Sequence, residues 1–224
     1  YMTIFLKEAL DYETIKELKE SIKAVKLYPS GVTTNSDTGL ASIDTEYLKD
    51  TFNAMSEFNI PLAIHGETNG FSLDREKDFL PIYEDIATKF PKLKIIMEHI
   101  SSEESVELLN RYDNLYATIT LHHMLYTLDD VVGGNFNPHL FCKPIVKKES
   151  DREALVKLAT SDNRKIMFGS DSAPHTIEAK QNGAAGVFSS PVLLNALVEL
   201  FEKENALDKL QSFISNNAKN IYNI

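Results

Sequence analysis

Four residues able to bind a metal or move a proton sit at the ends of four apolar runs. They are Lys26 in AVKLYP, His65 in PLAIHGE, His99 in KIIMEHI and Asp171 in KIMFGSD. Imidazole is the commonest protein ligand for zinc. A carboxylate next to a metal can serve as general base on a water whose pKa the metal lowers toward ~7. A lysine within an apolar strand is expensive as a free ammonium, so it must be neutral, paired or modified. Carbamylation would make it a planar anion whose two oxygens can bridge two metal ions. Each residue also has a plainer reading. A lone histidine after a strand is commonly a hydrogen-bonded core residue. Lys26 could lie in a buried ion pair or reach to solvent, and Asp171 or Ser172 could cap a helix. Taken together, the four favour metal-assisted hydrolysis.

Other candidates are weaker. His175 follows Asp171 across Pro174 and could hold an anionic substrate group. His122 and His123, adjacent on a segment read as extended, would face opposite ways. They are therefore read, with His139 and Cys142, as structural or pocket-lining.

The elements that must position these residues alternate. YMTIFL reads as a strand, and a helix is expected over 11–22 with Tyr12, Ile15, Leu18 and Ile22 on one face. The strand AVKLYP is followed by a loop over 30–39. Asp44 is the expected N-cap of a helix carrying Tyr47, Leu48, Phe52 and Met55. LAIHGE, a helix near 75–89 and KIIMEHI come next. Ser101 with Glu104 and Ser150 with Glu153 read as capping boxes opening two further helices. Between those two helices lie the strand NLYATIT and a long irregular stretch over 121–148. KIMFGSD is the last strand. Ser190 and Pro191 are expected to start one helix, and another is expected over 208–221. Six strands separated by helices or long loops imply a parallel α/β sheet with right-handed crossovers. A parallel barrel gathers such strand ends on one catalytic face. Six strands fall short of eight, and the chain opens on Tyr1 already inside a strand. A single barrel domain over 1–224, lacking its first two βα units, is the expectation.

Composition narrows the partners. A formal net charge of −10 over 224 residues argues against nucleic acid as the main partner. No apolar run reaches the roughly 18 residues of a membrane span, and no signal peptide is apparent. The lone Cys142 fits a reducing cytoplasm.

KLYPSGVTTNS, PLAIHGET, IIMEHI, LYATIT, GGNFNPHLFCKP and FGSDSAPH, in that order from end to end, resemble segments of the dihydroorotases. These are the pyrimidine-biosynthesis branch of the amidohydrolase superfamily, here of the shorter bacterial type. The resemblance implies a distorted (β/α)8 barrel with two zinc ions per complete subunit. It makes Lys26 the carbamylated bridging ligand, His65 and His99 ligands of the second metal, and Asp171 both a ligand of the first and the acid/base. It assigns Thr33 and Thr34 to a loop closing over the substrate, and His175 and the backbone near Ala185 to the substrate carboxylate. The backbone around Cys142 and Lys143 would meet the pyrimidine ring. The implied reaction interconverts N-carbamoyl-L-aspartate and (S)-dihydroorotate, and a homodimer is left open. One departure stands out: the family's His-x-His pair and nearby Arg on the first strand are absent, the only close pair being His122–His123. A hydantoinase-like cyclic amidohydrolase and an inactive dihydroorotase-like scaffold subunit are the alternatives.

Overall fold

The computed structural model describes residues 2–33 and 36–224, so Thr34 lies outside the described residues. Its strands are β1 (Met2–Leu6), β2 (Ile22–Leu27), β3 (Leu62–Ile64), β4 (Ile95–Met97), β5 (Leu115–Ile119) and β6 (Ile166–Phe168). They form one six-stranded sheet in chain order. The ladders β1/β2, β2/β3, β3/β4 and β5/β6 run parallel, with Lys26 opposite Phe5 on one side and Ala63 on the other. This is the expected α/β architecture. Every residue of β3 and β4 is buried, as befits parallel strands covered on both faces.

The helices are α1 (Tyr12–Leu18), α2 (Lys49–Glu57), α3 (Leu80–Lys89), α4 (Glu103–Arg111), α5 (Leu121–Leu125), α6 (Leu128–Val132), α7 (Glu149–Ala159), α8 (Ile177–Gln181), α9 (Leu193–Lys203), α10 (Leu207–Gln211) and α11 (Asn217–Tyr222). Several boundaries differ from the sequence expectation. Ile22 opens β2 and pairs with Met2, because a buried ladder position outweighs its place on the helical face. Asp44 caps the turn before α2, accepting from the Glu46 and Tyr47 amides at 2.9 and 3.3 Å. At α7 the capping carboxylate is Asp151, which accepts from the Lys148 amide at 3.1 Å, so Ser150 lies inside the first turn. Ser190 and Pro191 belong to a turn that precedes α9. The stretch expected to be irregular over 121–148 contains α5, α6 and a 3₁₀ turn at Pro138–Leu140. The last expected helix is broken by a π-helical turn at Ser212–Asn216. None of the described helices is long and apolar enough to cross a membrane.

Two compact units emerge. One comprises Tyr1–Glu98, Leu108–Tyr116 and Asn220–Ile224; the other comprises His99–Glu107 and Ala117–Lys219. In the first, Phe52 meets Phe90 edge-on at 5.2 Å and Phe79 meets Tyr83 at 4.9 Å. The Thr51 hydroxyl exchanges hydrogen bonds with both the amide and the carbonyl of Leu10, tying α2 to the segment entering α1. In the second, Phe213 lies 5.5 Å from Phe201 and 5.9 Å from Phe168. There the Asn217 amide donates to the Ile166 carbonyl at 2.8 Å, joining α11 to β6. A smaller apolar cluster gathers Val131, Cys142, Val146 and Val187.

Candidate metal and substrate site

In the first unit, Lys26 is the penultimate residue of β2 and His65 directly follows β3. The Lys26 ammonium is ion-paired with Glu98 and sits 4.3 Å from the centre of the Tyr28 ring. The ion pair anticipated as the plainer reading is therefore present. As an ammonium Lys26 has no lone pair to give; as a carbamate it would offer oxygens instead. The Tyr28 ring also lies 5.8 Å from the His65 ring, so one aromatic side chain joins the two candidates.

His65 Nε2 stands 2.7 Å from Glu67 Oε2, and both side chains are only 2% exposed. A buried carboxylate needs such a partner. If Nε2–H donates to Glu67, the lone pair falls on Nδ1. Histidines that bind metals usually have this carboxylate behind the ring, fixing the tautomer. The donor set around His65 therefore fits a metal. Gly66 does permit a close approach, but the group approaching is a protein side chain. A Cβ there would meet the Tyr83 hydroxyl at 2.3 Å, and that hydroxyl donates to the Ile64 carbonyl at 3.0 Å.

Thr33 lies in a loop whose base is tied by Ser30–Leu40 and Leu40–Tyr28 backbone bonds of 2.9 Å each. Its amide donates to Ser36 Oγ at 3.0 Å, and that hydroxyl donates back to the Thr33 carbonyl at 2.8 Å.

In the second unit, His99 and Asp171 share a backbone feature that the sequence did not reveal. Both have left-handed φ angles, 42° and 40°, without being glycine. Such conformations cost energy, and non-glycine residues that hold them concentrate at functional sites. The His99 amide donates to Thr118 Oγ1 at 2.6 Å, which holds its turn at the end of β4. Asp171 is exposed, three residues beyond β6.

The segments after Asp171 and around Ala185 are stitched together. The Ala173 amide donates to the Val187 carbonyl at 3.0 Å, and Ser172 Oγ accepts from the Ser189 and Ser190 amides. His175 Nε2 lies 3.0 Å from the Ala185 carbonyl, so two residues expected at the substrate carboxylate do meet. Gly186, at φ +143°, makes this possible, because a Cβ there would strike Ala173 at 2.6 Å.

Lys180, missed in the sequence, anchors this region. Its buried ammonium donates to the carbonyls of Phe141 and Ala184 at 2.8 Å and of Gly186 at 2.6 Å. It thereby fixes the backbone entering Cys142 and Lys143 to the backbone around Ala185. Burial holds its pKa below the usual lysine range. Glu67 and Glu98 were missed as well. For Glu67 a signal existed, an acid two residues after a strand-end histidine with glycine between. For Lys180 none did.

The Cys142 thiol is buried and donates to the Pro144 carbonyl at 3.2 Å. Burial pushes it up to about 12, which leaves it inert as a nucleophile. His122 and His123 are helical, not extended, because the Thr120 hydroxyl caps α5 by accepting from the His123 amide. Their rings therefore lie side by side, 4.6 Å between centroids, and burial keeps His122 well below the usual histidine range. With Cys142 they form a group whose ligand atoms are all within 4.8 Å of one another. His139 is exposed.

The amidohydrolase family profile matches residues 11–222. The dihydroorotase of Helicobacter hepaticus is 51% identical over 97% of this chain and 64% of its own length. The crystal structure of dihydroorotase from Campylobacter jejuni superposes with a TM-score of 0.95 at 54% identity, covering 100% of this chain and 64% of that one. Dihydroorotase from Saccharomyces cerevisiae, solved in complex with 5-fluoroorotic acid, gives 0.92 at 36% identity over 100% of this chain and 67% of its own. The chain thus spans about two thirds of the length of these relatives.

Proposed function

The chain belongs to the amidohydrolase family, and from that premise we propose that it is the larger part of a dihydroorotase, interconverting N-carbamoyl-L-aspartate and (S)-dihydroorotate. The observation that carries the reading is positional. Lys26, His65, His99 and Asp171 each lie at, or within three residues of, the C-terminal end of a different strand of one parallel sheet. Catalytic residues of parallel α/β enzymes come from those ends. The family profile runs through both compact units, in keeping with one amidohydrolase domain over 1–224.

In this reading Lys26 as its carbamate, His65, His99 and Asp171 hold zinc, two ions per complete subunit. This chain supplies only Lys26 and Asp171 to the first ion, since it has no His-x-His. When bound, zinc polarises the amide carbonyl and eases deprotonation of water. Asp171 takes the proton of the attacking water and delivers it to the ring nitrogen, as the C–O bond forms and the ring C–N bond breaks. Glu67 orients His65, and Thr118 holds the turn that presents His99. His175 and the backbone at Ala185 bind the substrate carboxylate, and the backbone at Cys142 and Lys143 binds the ring. Thr33 and Thr34 hydrogen-bond across the substrate from their loop. A cytoplasmic setting and a homodimer go with the proposal; nucleic acid does not, given the charge of −10.

Asp171→Asn in the complete zinc-loaded protein tests it. The expected outcome is a fall in kcat of roughly 10²–10⁴-fold with zinc content largely kept. Near-wild-type turnover would remove Asp171 from the proton path. Hydantoin and dihydrouracil run alongside as substrates decide the specificity: their turnover in place of dihydroorotate would replace the proposed substrate. A folded complete protein that retains no zinc would favour the scaffold reading.

A further inference from the structure

We propose that His122 and His123 of α5 together with Cys142 form a separate binding site for one zinc-class cation, distinct from the four strand-end residues. The three lie in one compact unit, all buried, with ligand atoms within 4.8 Å of one another. His122 supplies an independent pointer. It is 1% exposed, and neither of its ring nitrogens has a hydrogen-bond partner. Leaving a buried polar group unsatisfied costs about 1–3 kcal/mol, and folded proteins seldom tolerate it. A cation bound through one His122 nitrogen satisfies that atom and so removes part of the cost.

The spacing suits the chemistry. Cys142 Sγ is 3.9 Å from His123 Nε2. Ligands about 2.0–2.1 Å (nitrogen) and 2.3 Å (sulfur) from a tetrahedral zinc stand roughly 3.6 Å apart, so this pair needs to close only slightly, while the group as a whole, within 4.8 Å, would draw in by up to about 1 Å. The Pro144 carbonyl oxygen, 2.9 Å from His123 Nε2 and 3.2 Å from Cys142 Sγ, is the neighbouring oxygen that would serve as a fourth ligand. The proton accounting closes. In the metal-free form His123 Nε2–H donates to Pro144, and Nδ1 accepts from Thr120 Oγ1 at 2.7 Å. When Nε2 ligates, the ring proton sits on Nδ1, and the Thr120 hydroxyl turns from donor to acceptor. The thiol proton leaves to solvent, one per ion bound. A set of one sulfur and two imidazoles selects zinc and its borderline neighbours over magnesium or calcium.

Cobalt(II) reports on this position separately from the strand-end residues, which contain no sulfur. The chelator-stripped protein titrated with cobalt(II) should develop a thiolate-to-cobalt charge-transfer band in the near ultraviolet, saturating at one equivalent. Cys142→Ser should abolish the band, His122→Gln should weaken cobalt binding at least about tenfold, and His139→Ala should leave it intact. Wild-type protein that shows no such band at saturating cobalt overturns the proposal. So does His122→Gln with unchanged affinity, a comparison that still decides the matter if Cys142→Ser fails to fold. The outcome is independent of whether the proposed hydrolase activity is found.

Discussion

Lys180 shows how one side chain can set the geometry of a loop region. Its three ammonium protons meet three carbonyls, those of Phe141, Ala184 and Gly186. Lys180→Met would fill much of the same volume while leaving these oxygens without their donor, so a loss of about 2–5 kcal/mol is expected in urea unfolding. The pH dependence has a definite sign. Burial lowers the folded-state pKa below 10.5, so above that lowered value the unfolded chain binds more protons than the folded one. The contribution of this group therefore rises with pH up to about 10.5, and the full burial penalty applies below the lowered pKa. Wild-type minus Lys180→Met stability, measured from neutral pH upward, should show that rise. A flat difference would mean that the ammonium is not desolvated.

The strand-end residues could be read from sequence because each lies in or just after a contiguous apolar run, and in a parallel sheet such a run marks the strand. What could not be read were their partners. Glu98 meets Lys26, and Lys180 meets Phe141, only through folding across many residues, which no local pattern encodes, whereas Tyr28 is two residues from Lys26 and within local reach. His122 and His123 depart from expectation for a different reason: the sequence after β5 suggests extended chain, whereas the Thr120 cap starts a helix there. Gly66 illustrates the limit of inferring ligand space from glycine. The neighbour is Tyr83 of α3, whose hydroxyl bonds the last carbonyl of β3. Gly66→Ala should therefore destabilise by about 1–3 kcal/mol through overpacking, and Tyr83→Phe in the same chain should recover little of that loss, since the ring carbons Cε2 and Cζ would still stand 2.6 and 2.7 Å from the new Cβ. If Gly66→Ala is as stable as wild type, the contact is not what excludes a side chain there.

Across the whole molecule, the two compact units are interleaved along the chain, which passes between them at residues 98–99, 107–108, 116–117 and 219–220. The first unit therefore depends on residues distant in sequence. Asn114 donates from its side-chain amide to the carbonyls of Ala87, Phe90 and Leu93 at 3.1–3.2 Å, closing the end of α3 and the turn into β4. Lys94, at the start of that strand, donates to the Ile221 carbonyl at 2.9 Å. A polypeptide of residues 1–98 would keep most of the unit's apolar side chains but neither of these anchors. The carbonyls left by Asn114 and the Lys94 ammonium left without its acceptor each cost on the order of 1–3 kcal/mol, against a total stability of only about 5–15 kcal/mol for a whole domain. The 1–98 piece should accordingly show no cooperative urea transition by circular dichroism. In the full chain, Asn114→Ala should lower stability by about 1–3 kcal/mol. A sharp transition in the 1–98 piece, or an Asn114→Ala chain that unfolds at the wild-type midpoint, would show that the unit holds itself together without its later segments.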